Sequence, residues 1–231
     1  MLGFLVFIHE GGHFLVAKLF KVRVNEFAIG FGPTIYSKEK GETKYALRLI
    51  PLGGFVSMEG EEERSQKQGS FSEASIPKRI AIVAAGAIVN IVFGLLVYFA
   101  IISFHTNSIY YGLLNTKEFT FSIINSLKEL FTGKMTTDQM MGIVGISDIV
   151  VSTNGLIEYI YIVALISLSL GITNLLPIPP LDGGKIFIYI IEGIRKKPLK
   201  EEIELKLQTL GFMAIIILSI YVTYNDVLRI L

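Results

Sequence analysis

The chain has no cysteine and no tryptophan, and its 231 residues include only three histidines. Without cysteine there is no disulfide framework, no thiolate nucleophile and no cysteine-ligated zinc or iron–sulfur site. Any metal must be held by His, Asp or Glu. An excess of charge is also missing: 21 Lys and Arg face 20 Asp and Glu, for a net charge of +1. Neither a long-range field nor a run of basic residues is available to draw in a polyanion, which excludes a nucleic-acid surface. Charged residues are scarce at 18%, while 52% are hydrophobic and the mean hydropathy is +0.58. Soluble domains carry about 25% charged residues, so a membrane protein is the better reading. There is no internal repeat or low-complexity tract to suggest a solenoid or linker.

A bilayer core of about 30 Å is crossed by about 20 helical residues. Four stretches qualify: residues 1–20, 80–104, 156–176 and 207–224. The second and fourth carry no charge, the third carries Glu158, and the first is apolar except for His9, Glu10, His13 and Lys18. The first stretch lacks the basic leader and small-residue cleavage site of a secretory signal, so it is read as a retained span. Lys and Arg accumulate on the cytoplasmic side of membrane proteins. Eleven fall between Lys18 and Arg79, three between the second and third spans, and six from Lys185 to Lys206. The first and third loops are therefore expected inside and both termini outside, with Tyr98, Tyr110, Tyr111, Tyr159, Tyr161, Tyr221 and Tyr224 as interfacial anchors.

Residues 22–29 and 45–58 are rich in β-branched and aromatic side chains and are predicted as strands. Pro51, Gly53 and Gly54 interrupt the second and predict a turn, giving a hairpin over about 22–58 that dips into the membrane. Residues 59–68 read as a solvated connection. Phe119, Ile123, Leu127, Leu130 and Phe131 follow helical spacing and predict an interfacial helix. The expected fold is an all-α integral membrane protein, one domain over 1–231, with four transmembrane helices and a small membrane-associated β-hairpin or sheet after the first helix.

His9, Glu10, Gly11, Gly12 and His13 spell HExxH. On a helix the two rings lie one turn apart on one face and can grip one zinc, with the intervening carboxylate beside it. This composition would yield the pattern about 0.003 times by chance. A pair of core histidines is the bland alternative, but ionisable groups at the centre of a span cost about 2.5–3.5 kcal/mol each, so three within five residues need a compensating ligand. Catalytic zinc usually takes three protein ligands. His105, Asp138, Asp148 and Asp226 lie in the second loop or at the far ends of spans, whereas Asp182 follows Pro177, Pro179 and Pro180 and precedes Gly183 and Gly184. Such a proline-broken segment exposes carbonyls and marks a site in a membrane. Read alone, it is equally a helix end capped by Asp182.

HExxH in the first span, paired with Asn174-x-x-Pro-x-Pro-x-Leu-Asp-Gly late in the chain, resembles the site-2 protease family of intramembrane zinc metalloproteases, in particular its bacterial RseP-like branch. Residues 50–55 resemble the family's membrane-inserted hairpin, and Gly86 with Asn90 resembles its Gly-Pro-x-x-Asn element. The resemblance implies His9, His13 and Asp182 as zinc ligands and Glu10 as catalytic acid/base, with Asn174 and Asn90 lining the substrate site. Gly11 stands where the family has a larger residue, Ala87 replaces the expected proline, and the segment between the second and third spans is too short for the family's PDZ domain. The strand over residues 47–56, with Pro51, Gly53 and Gly54, is the expected edge for an unwound substrate. The implied activity is cleavage of single-span membrane proteins within the bilayer of a bacterial plasma (inner) membrane, with anti-sigma factors or signal-peptide remnants as substrates. The rival class is a metal or proton transporter, which would show repeats around a midplane site.

Overall fold

A computed structural model describes residues 1–61, 63–132, 134 and 142–230. Asp138 and the residues around it lie outside the described set. In chain order the elements are α1 (Leu2–Leu19), β1 (Val24–Lys40), β2 (Thr43–Met58), α2 (Ile76–Thr106), α3 (Ile109–Phe131), α4 (Ile143–Ser152), α5 (Leu156–Asn174), α6 (Asp182–Arg195) and α7 (Glu201–Ile230). Four of the helices, α1, α2, α5 and α7, are long and apolar enough to cross a membrane. They coincide with the four stretches read from hydropathy and differ at their ends for local reasons. Pro77 sits in the first turn of α2, where a missing N–H costs nothing. Glu201, Glu202 and Glu204 start α7 against the positive end of its dipole. Pro177 stops α5 at Asn174, short of the expected residue 176, because the residue before a proline disfavours helical backbone.

The chain divides into two compact units, Met1–Asn90 with Thr173–Lys200 and Ile91–Ile172 with Glu201–Leu231. In the first, α1 buries Leu5, His9, Gly12, His13 and Ala17, one stripe at helical spacing. Its core gathers Ala17, Val22, Val24, Met58, Phe71, Ile82, Val83, Ile188, Tyr189 and Leu199. The strands form an antiparallel pair that closes at Lys40↔Thr43, with Gly41 in the left-handed region at φ 65°. Residues 26–29 are also flanked by residues 44–47 and by residues 54–57.

Along residues 26–29 the partners rise from 44 to 47 on one edge and fall from 57 to 54 on the other, so the two halves of β2 run in opposite directions. The chain therefore reverses between residues 47 and 54, as expected from Pro51, Gly53 and Gly54, and Gly54 already pairs with Ile29 in the returning half. Pro51 has no N–H to lose from the ladder, and the glycines also permit close approach. A Cβ on Gly54 would lie 2.6 Å from the Ala28 carbonyl oxygen, and one on Gly53 would strike the Phe31 ring.

In the second unit, Tyr98 of α2 stacks on Phe119 of α3 with ring centroids 4.0 Å apart. Ile123, Ala164 and Leu168 complete that core. Phe119 and Ile123 of the α3 stripe thus pack onto protein. Asp226 of α7 is buried and accepts the Gly142 and Gly145 N–H groups at 2.9 and 2.8 Å, which caps the start of α4.

Candidate functional site

Two histidines four residues apart on the buried stripe of α1 turn towards the same point. His13 Nδ1 lies 2.9 Å from the Ile82 carbonyl oxygen, which requires Nδ1–H and leaves Nε2 as a lone pair. The Asn90 amide nitrogen lies 3.3 Å from His9 Nδ1. This contact orients the ring. The two Nε2 atoms are 3.1 Å apart. Gly86 of α2 makes room for them: a Cβ there would lie 2.8 Å from His9 Nε2 and 2.7 Å from His13 Cε1. Gly12 permits the close crossing, since its Cβ would meet the Ala85 carbonyl oxygen at 2.6 Å.

Asp182 is the first residue of α6, where the helix dipole favours a carboxylate. The chain before it folds back on the helix it begins. Ile178 N–H bonds to Leu176 O at 2.7 Å and Leu181 N–H to Ile178 O at 2.9 Å. A Cβ on Gly184 would lie 2.6 Å from Pro179 N, and one on Gly183 would strike the Leu175 and Leu176 carbonyls. Both glycines are therefore required by this fold-back, and it carries the carboxylate to the histidines. Asp182 Oδ2 is 3.1 Å from His9 Nε2 and 3.5 Å from His13 Nε2.

These residues suit a divalent cation. Their three ligand atoms lie within 4.8 Å of one another. Asp182 Oδ2 is buried and has no hydrogen-bond partner among the described residues. Two imidazole nitrogens and a carboxylate oxygen that converge on one point are a ready ligand set for a cation. The donor set of two nitrogens and one oxygen matches catalytic zinc.

A cavity of about 150 Å³ opens on the cluster. Glu10 lines it, as do Phe55 and Val56 of β2. So does an ion pair that sequence reasoning missed, Lys185 Nζ to Glu61 Oε1 at 2.8 Å. Burial alone pulls the Lys185 ammonium down, but Glu61, Tyr189 and Asp182 outweigh it and hold the group above the usual lysine range. Lys185 sits three residues after Asp182 on a helix, a spacing that could have flagged it. Glu61 has no local signal.

The other predicted residues are placed less uniformly. Asn90 is fully buried behind His9. Asn174 ends α5, half-buried, and is not among the residues lining the cavity. Pro51 backs onto the first turn of α1, where a Cβ on Gly3 would meet its carbonyl oxygen at 2.6 Å, and Gly53 and Gly54 lie where β2 reverses direction.

The sequence pattern of peptidase family M50 matches residues 1–218. The chain belongs to peptidase family M50. A Clostridium acetobutylicum protein named as a zinc metalloprotease is 27% identical over 97% of this M50 peptidase and 94% of its own length. The regulator of sigma-W protease RasP of Bacillus subtilis is 24% identical over 98% of this chain and 96% of its own. A Streptococcus pyogenes protein named as a zinc metalloprotease reaches 43% over 112 residues, 48% of this chain and 26% of its own. The site-2 protease resemblance is borne out. This M50 peptidase is a zinc metalloendopeptidase, and the transporter reading is set aside.

Proposed function

We propose that this M50 peptidase hydrolyses peptide bonds within the membrane-spanning segments of single-span membrane proteins, as a multi-pass protein of a bacterial plasma membrane. His9, His13 and Asp182 hold the zinc, and Glu10 is the acid/base. The observation that carries this reading is the convergence of the three ligand atoms, from helices far apart in sequence, in the cavity that Glu10 also lines.

Zinc bound there would supply Lewis acidity and a water acidic enough to act as a nucleophile near neutral pH. Glu10 accepts the proton of the attacking water and returns it to the leaving amine. Ile82 and Asn90 hold the two imidazoles in register, and the Asp182 carboxylate balances charge. A substrate helix must unwind to present a carbonyl, and its freed backbone groups need partners in place of water. Among the described residues, residues 54–57 of β2 pair only with residues 26–29, and Phe55 and Val56 reach the cavity. Strand addition there supplies those partners. By the family resemblance, Asn174 and the carbonyls around Pro177 are the partners of the substrate's other edge, outside the lining of the cavity itself. The printed name of the Bacillus subtilis relative refers to sigma-W regulation, and membrane-anchored anti-sigma factors fit this substrate class. The whole chain acts as one protease domain without a PDZ module, with residues 60–68 and 195–200 on the cytoplasmic side and both termini outside.

The test is Glu10→Gln beside Asp182→Ala. The first keeps zinc and loses about 10²–10⁴-fold in peptidase rate on a model transmembrane substrate. The second loses zinc and rate together. Undiminished cleavage by Glu10→Gln, or full zinc content in Asp182→Ala, overturns the assignment.

A further inference from the structure

A second cavity, of about 440 Å³, lies where α2 begins and α6 ends. It shares no lining residue with the cavity at His9, Glu10 and His13. Four cations line it: Arg64, Arg79, Lys196 and Lys197. Two carboxylates, Glu73 and Glu192, stand against them, which leaves an excess of positive charge.

The wall is built, not incidental. Glu192 is buried, and its Oε2 accepts Arg79 Nη1 at 3.1 Å while its Oε1 accepts the Leu199 N–H at 2.6 Å. Arg64 Nη2 donates to the Leu199 carbonyl at 2.6 Å and lies 3.5 Å from Glu192 Oε1. The Arg79 guanidinium also lies over the Tyr189 ring at 4.8 Å, which fixes its plane. One buried carboxylate therefore anchors two guanidinium groups and the turn after α6. Its charge is spent inside the wall and does not compensate Lys196 and Lys197. The N-terminus of α2 adds the positive end of a helix dipole.

Position selects the ligand. Arg79 is the last charged residue before the uncharged stretch 80–104 of α2, so the cavity lies at the polar end of an apolar helix. Two adjacent lysines and two oriented guanidiniums suit a phosphate oxyanion, and basic pockets at the cytoplasmic ends of membrane helices take lipid headgroups. The volume falls within the range of about 300–1,000 Å³ typical of small-molecule sites.

We propose that this cavity binds a phosphate oxyanion, supplied by the headgroup of an anionic phospholipid. Inorganic phosphate shares the chemistry, and the test separates the two sources. The full chain is placed in nanodiscs of phosphatidylcholine, alone or mixed with phosphatidylglycerol, and retained lipid is counted by native mass spectrometry. The parent retains phosphatidylglycerol over phosphatidylcholine, and Lys196→Glu with Lys197→Glu lowers that preference about tenfold or more, with zinc content and helical circular dichroism kept. Reversing two exposed lysines elsewhere, Lys38→Glu with Lys40→Glu, leaves the preference in place. Equal retention of both lipids by the parent, or an equal loss in the Lys38 and Lys40 variant, overturns the site. Stabilisation of the detergent-solubilised protein by inorganic phosphate, beyond sodium chloride of equal ionic strength and without phosphatidylglycerol retention, overturns the lipid assignment.

Discussion

At Gly86 the absence of a side chain is itself a functional property. A Cβ there would stand 2.8 Å from His9 Nε2 and 2.7 Å from His13 Cε1, in the space where the ligand atoms meet. Alanine is the better helix former by about 0.8–1.0 kcal/mol, so helix propensity and zinc binding pull in opposite directions at this position. Gly86→Ala is expected to lower zinc affinity about tenfold or more while α2 keeps its helicity. Zinc titration beside far-ultraviolet circular dichroism checks this, and unchanged affinity would show that the imidazoles can move aside. HExxH was legible because both histidines and the glutamate sit within five residues, so helical periodicity alone brings them together. Asp182 was legible only as a candidate, because the fold-back that delivers it depends on contacts of Gly183 and Gly184 with Leu175, Leu176 and Pro179. The Lys185–Glu61 pair depends on tertiary packing and left no trace at the Glu61 end.

Among the elements, the long apolar helices were readable because lipid tolerates no break in an exposed helix, and an unbroken apolar run is visible in any window. α6 was not anticipated. It opens with two glycines after three prolines, and burial of Ile188, Tyr189 and Glu192 sustains it against that local preference. In β2 the proline and glycines predicted a turn, and the chain does reverse there, which returns residues 54–57 along residues 26–29 toward the cavity. Two predictions belong here. Successive strand residues point their N–H groups to opposite edges, so Phe55→Pro and Val56→Pro each remove a different donor. The variant that loses the outward donor is expected to cleave a transmembrane substrate several-fold more slowly at normal zinc content, and the other to melt at lower temperature. Full rates in both refute strand addition.

The loop after β2 is expected to respond to acid. Ser65, Lys67 and Asn25 hydrogen-bond the Glu59 carboxylate and hold it down to about 2, against an ordinary value near 4.5. A folded value below the unfolded one contributes order above pH 4.5 that is lost as the pH falls towards 2. Hydrogen exchange of residues 65–71 is expected to accelerate over that interval, and Glu59→Gln to abolish the dependence. A loop with the same acid response in that variant would place the titrating group elsewhere.

For the whole molecule, the excess of Lys and Arg in the first and third loops carries the proposed topology, in which residues 60–68 and 195–200 are expected on one side of the bilayer and residues 106–118 on the other. The Arg64 bond to Leu199 at 2.6 Å supports the first half of that statement, since it joins those two loops. The native chain has no cysteine, so single cysteines report without background. A cysteine at Ser108 is expected to react with an impermeant maleimide from outside intact cells, and one at Gln66 only after the inner side is opened. The opposite pattern inverts the topology.

The fold-back before α6 also sets a clock. His9, Glu10 and His13 precede Asp182 by the whole of β1, β2 and α2 to α5. While those elements are being made, the nascent chain would carry an incomplete set of the proposed ligands into a bilayer crowded with the unwound and half-inserted segments that such an enzyme would cut. The order of the ligands along the chain keeps the peptidase unarmed until α1, α2 and α5 have been made.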